Sequence, residues 1–206
     1  LTGSDDDQAT ARASSGITGL PGSINSITLT AQTISASELL SLDAQYSGTV
    51  NASSVNTITG TAADVITAYD ANDAGTITGL NNEAVILTDT TLSAANLLTV
   101  DAYPYTTGVV NALSVTTITG SAADLIVAYT AKEAGTITFS TDEAITVNDS
   151  ITVAQFNYLA ANNDGVITAT ISEGDMATLD GIAESGNALA ITVTDTTVSA
   201  AELNTL

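Results

Sequence analysis

The chain of 206 residues carries 2 basic against 23 acidic residues, a net charge of −21, and lacks cysteine, histidine and tryptophan. That charge repels phosphates and so argues against nucleic-acid binding and anionic membrane surfaces; the missing residue types exclude a disulfide framework, a thiol nucleophile, a Ser-His-Asp triad and a Cys/His zinc site. With 44% hydrophobic but only 4% aromatic residues, any core is built from small aliphatic layers, and no run of 18 apolar residues proposes a membrane span.

Residues 1–25 contain Asp5-Asp6-Asp7, Ser14-Ser15-Gly16 and Pro21-Gly22 without an apolar period, and are expected to form a polar tail or linker arm. The start at Leu1 has neither an initiator methionine nor a signal-peptide pattern, so the chain is expected to be processed or excised.

From residue 26 onward the chain repeats itself. Residues 49–80 (TVNASSVNTITGTAADVITAYDANDAGTITGL) and 109–140 (VVNALSVTTITGSAADLIVAYTAKEAGTITFS) agree at 21 of 32 positions with a shift of 60. A shorter motif recurs as AVILTDTTLSAANLL (84–98) and AITVTDTTVSAAELNTL (190–206). In each short unit a Ser or Thr stands three residues before an acid or amide: Ser35/Glu38, Thr61/Asp64, Ser93/Asn96, Ser121/Asp124, Thr152/Gln155, Ser172/Asp175 and Ser199/Glu202. This is the capping-box spacing, in which the hydroxyl accepts an orphan helix N–H. An apolar residue follows each time (Leu39, Val65, Leu97, Leu125, Phe156, Met176, Leu203), predicting short amphipathic helices of about two turns.

Helix exits are placed at Gly48, Gly75, Gly108, Gly135, Gly165 and Gly186, where a left-handed backbone would reverse the chain. β-Branched residues then predict strands at Thr49-Val50, Thr76-Ile77, Val109-Val110, Thr136-Ile137 and Val166-Ile167. A second strand is predicted before the next cap at 55–59, 84–88, 115–119 and 191–194. Cap-to-cap spacings of 26, 32, 28, 31, 20 and 27 residues give about six to seven helix–strand units over 26–206. Helices this short must pack on their neighbours to persist. The expected fold is α/β, a repeat solenoid with short capped helices and short parallel strands; the alternative is a right-handed parallel β-helix with decorating helices. Leu206 falls inside a helix pattern without a closing cap, and the repeats are expected to continue or to stack on another copy.

Units such as TITGTAADVITAY, TDTTLSAANLLTVDA and TDTTVSAAEL resemble the tandem repeats of very large secreted cell-surface proteins of marine cyanobacteria, motility-associated and adhesin-like. The resemblance covers roughly 26–206. It implies an extracellular or cell-surface, structural or adhesive role, with no catalytic residues. Such proteins often carry glycine/aspartate-rich calcium nonapeptides, and none stands in this sequence.

Two turns resemble pieces of a calcium loop: Asp70, Asn72 and Asp73 before Gly75, and Asn162 and Asp164 before Gly165. Neither completes the loop, since Ala74 and Asn81 occupy two ligand positions of the first, and Ala160 and Ile171 two of the second. Asn, Asp and Gly also simply make turns. The unit between them has Lys132, which would oppose a cation. Asp43, Asp101 and Asp180 each follow the cap by eight residues and are expected to accept backbone N–H groups in the exit turn. Tyr103-Pro104-Tyr105, a two-residue insertion relative to the first unit, is the candidate contact point for a surface glycan. The expected function is a non-enzymatic spacer or scaffold of a surface layer, fibre or adhesin, partnered by further repeats or copies of itself, and without a cofactor unless calcium is bound. A calcium- or glycan-binding module is the alternative. A glycan-active enzyme would need two converging acids, and most acids here are already explained as caps and turns.

Overall fold

The structure, a computed structural model, describes residues 26–106 and 108–204. The tail reading of 1–25 and the last residue of the final helix pattern lie outside them. In chain order the elements are β1 (Ser26–Thr28), β2 (Thr33–Ser35), α1 (Ala36–Gln45), β3 (Thr49–Asn51), β4 (Thr57–Gly60), α2 (Ala62–Ala74), β5 (Ile77–Thr78), β6 (Ala84–Leu87), β7 (Thr91–Ser93), α3 (Ala94–Ala102) and β8 (Val110–Asn111). They continue with β9 (Thr117–Gly120), α4 (Ala122–Ala134), β10 (Ile137–Thr138), β11 (Ala144–Ile151), α5 (Val153–Asn162), β12 (Ile167–Ile171), α6 (Met176–Leu179), β13 (Ala188–Ala190) and α7 (Ala200–Leu203). The fold is α/β with parallel sheets, and the sheets are open. The chain divides into two compact units, one holding residues up to Asp89 together with Thr99–Ala112, the other Thr90–Leu98 together with the residues from Leu113 onward.

In the first unit β1, β3 and β5 make one parallel ladder, in which Ile27 faces Val50 and Val50 faces Ile77. A second ladder aligns Ile34 with Ile58, Val85 and Val110 across β2, β4, β6 and β8. All of these side chains are buried. In the second unit Leu92, Ile118, Ile145 and Ile167 align in the same way across β7, β9, β11 and β12, and β13 extends that sheet. Each rung is one β-branched or leucine side chain per strand, most often with a threonine on at least one side. The period-2 strand pattern therefore buries the aligned apolar residue in every strand of the ladder.

The predicted caps form at Ser35, Thr61, Ser121, Thr152 and Ser199, where the side chain accepts the N–H three residues on. Ser93 accepts the Asn96 N–H at 3.1 Å. At the sixth unit the cap is Asp175, not Ser172: its carboxylate accepts from Thr178, while Ser172 instead pairs with Ile151 in the strand. Aspartate caps as well as serine does. Helix length also departs from expectation. α2 and α4 run to 13 residues. Gly75 and Gly135 are left-handed C-caps with φ of 81°. Gly48, Gly108 and Gly165 are not left-handed.

A contact between successive repeat units has no local signature in the sequence. The first N–H of α2, at Ala62, donates to Asp89, 27 residues later. The same bond joins Ala122 of α4 to Asp149, Val153 of α5 to Glu173 and Met176 of α6 to Asp195. Each acid lies within or after a strand of the following repeat unit and answers an orphan N–H and the positive helix end of the preceding one. Asp149→Ala is expected to cost about 1 kcal/mol, within the range of a lost N-cap. Hydrogen exchange should quicken at the start of α4 as well as at residue 149, and a change confined to residues 148–150 of β11 would refute this coupling.

Candidate functional site

In the first unit the inserted loop Tyr103-Pro104-Tyr105 folds back on the end of α2. The Tyr103 ring lies 4.9 Å from the buried Tyr69 ring and the Tyr105 ring 5.8 Å from it, both tilted. The Tyr103 hydroxyl donates to Asp70 at 2.5 Å, and the Tyr105 hydroxyl donates to Asp73. Burial and the Asp70 carboxylate push Tyr103 up to about 12, and the bond to Asp73 raises Tyr105. Tyr69 is pushed to about 12 mainly by burial. Beside them is a shallow cavity of about 380 Å³ lined by Asp73, Thr99, Ala102, Tyr103 and Pro104.

This geometry places the first calcium candidates on the last turns of a helix. Asp70 and Asp73 hold tyrosine hydroxyls, and Asn72 both donates to and accepts from the Leu80 backbone, at 3.3 and 3.2 Å. This pair of hydrogen bonds ties the end of α2 to the loop between β5 and β6. In the second unit the equivalent position is Lys132, whose ammonium donates to the equivalent carbonyl, Ser140, and lies 4.3 Å from the Phe139 ring centroid. Side chains as unlike as Asn and Lys thus do one structural task at equivalent positions of the two blocks.

The second calcium candidates separate. The Asn162 side chain donates to the Tyr158 carbonyl within α5. Asp164 lines an open polar cavity of about 190 Å³ together with Asn163, Glu184 and Asn187. Its backbone N–H donates to Thr141. Asn163, which the sequence reading passed over, is buried and central: it accepts from Tyr129 at 3.1 Å and donates to the carbonyls of Glu143 and Gly165. Among the described residues no group of three or more acidic side chains is arranged to hold a metal ion. The expected exit-turn role of Asp43 is also different: it accepts the Thr76 hydroxyl from the next coil at 3.1 Å. Asp180 is the C-cap of α6.

Two acids absent from every sequence expectation are buried. Glu83 and Glu143, at equivalent positions of the two blocks, are each 1% exposed. Burial raises both above the ordinary glutamate value. The sequence signal was present in their equal phase, since each follows the tyrosine of its own block (Tyr69, Tyr129) at the same interval. No described helix is long and apolar enough to cross a membrane. The chain matches no protein-family model, no curated protein sequence and no solved structure.

Proposed function

We propose that this chain is a structural repeat segment, a stiff solenoid spacer or scaffold in a secreted surface, fibre or layer protein, acting without catalysis. The observation that carries the reading is how the acids are used. Asp89, Asp149, Glu173 and Asp195 each bind the helix end of the preceding coil, so side chains that could serve a ligand instead join neighbouring coils. The in-register parallel ladders support the same reading, because each coil buries its apolar rung only against the next. Exposed Thr, Ser and Asp faces hydrate such a spacer, and its negative charge discourages collapse. The resemblance to cyanobacterial surface repeats agrees with an extracellular place for it.

The partner assigned to this scaffold is a further coil of the same kind, from more repeats or another copy. A second reading, a calcium- or glycan-binding module, is favoured by one feature: the insertion not shared between the repeats seats Tyr103 and Tyr105 over Tyr69 beside a cavity. Insertions in repeat arrays often mark the binding face.

Stretching single molecules between their termini, first in chelator and then in millimolar calcium, tests both. Caps in the structure stand 23 to 32 residues apart, so the scaffold reading expects stepwise release of about 80–110 Å per coil, unchanged by calcium. One all-or-none rupture would contradict the solenoid. A marked rise in force with calcium would replace the spacer by the calcium-binding module.

A further inference from the structure

We propose that Glu83 and Glu143 are proton-operated latches, one in each repeated block, that tighten the fold when protonated and loosen it when ionised. The geometry of the two sites carries this. Both residues are shielded from water, and the backbone N–H groups nearby, of Asn81, Asn82 and Glu83 at Glu83 and of Ser140 and Glu143 at Glu143, offset that burial only in part. Glu83 Oε1 accepts the Asn81 N–H at 2.8 Å, but Oε2 has no hydrogen-bond partner. Neither oxygen of Glu143 has a hydrogen bond of normal geometry. A buried carboxylate so poorly satisfied favours its neutral form.

The neighbours do little to reverse that preference. The titratable group facing Glu83 is Tyr69 of α2, a neutral phenol whose own ionisation Glu83 further opposes. Glu143 faces Tyr129 and Lys132 of α4 and stands beside Asp142; Asp164, after α5, acts on the same lysine. Lys132 favours the charged form of Glu143 and Asp142 disfavours it, while burial outweighs both. Lys132 is itself disfavoured as a cation by burial, and its ammonium is already bonded to Ser140. In the first block the lysine position is Asn72, so Glu83 has no cation there at all.

The consequence follows from linkage. A carboxyl whose folded value lies above its unfolded one binds its proton more tightly in the fold. Its stabilisation is complete below the ordinary value of 4.5 and is lost as the pH rises through the folded value. Asp175 and Glu202 run the other way: bonds to Thr178 and Ser199 lower them, so their contribution is lost only as the pH falls below the carboxylate range. These two carboxyls therefore stabilise the fold fully only below 4.5, and that contribution falls away above it as each loses its proton. The device does not depend on the spacer reading.

The test is thermal unfolding between pH 5 and 8 of the whole chain, of Glu83→Gln/Glu143→Gln, and of a control, Asp180→Asn/Glu184→Gln, which removes the same charge from exposed positions. The latch variant should unfold roughly 3–8 °C higher than the wild type at pH 8 and show a flatter profile. The control should keep the wild-type slope. A latch variant with the wild-type slope would overturn the proposal, as would a control that flattens the profile equally, since general charge repulsion would then account for it. Carboxyl-carbon NMR titration of the wild type gives a readout independent of variant folding. Midpoints above 4.5 for Glu83 and Glu143 are expected, and ordinary midpoints would overturn the latch.

Discussion

Phe156→Ala is expected to cost about 3–5 kcal/mol, a large share of the roughly 5–15 kcal/mol that stabilises a typical domain. Phe156 is completely buried and stands on the inner face of α5 with Val153 and Leu159. It holds the position after the capping pair that Leu39, Val65, Leu97 and Leu125 hold elsewhere. Removing the ring takes away its transfer free energy and leaves a cavity, and the surrounding coil relaxes only in part because α5 is pinned at its start by the capping box and by Glu173. Phe156→Leu should recover most of the loss, leaving about 1 kcal/mol, because the repeat uses leucine in the same place. Denaturant unfolding measures both. Equal losses for the two variants would mean that ring shape, not filled volume, holds this coil.

Gly165→Ala is expected to be nearly as damaging, by about 3 kcal/mol or more. The reason is space rather than a left-handed backbone. A Cβ at residue 165 would lie 2.1 Å from the Glu143 carbonyl oxygen and 2.6 Å from its carbon. Both belong to main chain that cannot rotate away, and Asn163 ties the same carbonyl to its own loop. Gly135→Ala provides the comparison: it is left-handed with φ of 81° but has open space around the new methyl. Its cost should be only about 1 kcal/mol. Chemical denaturation of the two variants separates the effects, and a Gly165 variant no worse than the Gly135 one would show that the neighbouring coil yields.

The caps were legible because capping is a local matter. A hydroxyl at 61 and an acid at 64 need only the helix between them. Asp175 shows the limit: Ser172 and Asp175 both satisfy local rules, and the pairing of Ser172 with Ile151 in the neighbouring strand decided which became the cap. The exit glycines were legible as turns but not in kind, since Gly135 is chosen for its φ and Gly165 for what stands opposite it. The calcium candidates were read from spacing within a few residues. Their hydrogen-bond partners come from elsewhere: Tyr103 and Tyr105 reach Asp70 and Asp73 from the following coil. The recurring Asp in TDTT was visible as a repeat, yet nothing local said that it reaches a helix 27 residues earlier.

By itself, then, the sequence determined what depends on periodicity and short spacing: an α/β chain of capped helices and parallel β-branched strands, repeated from one block to the next, with an apolar rung in each coil. Only the tertiary structure decided the use of the charged groups. Whether an acid is solvated, caps a neighbour or is buried depends on which coil lies over it, and a partner a whole coil away leaves no mark on local propensity. Asp89 and Glu83 stand close together in one acidic chain. One meets an orphan N–H and is satisfied as an anion; the other is shut away from water, where its charge is a cost.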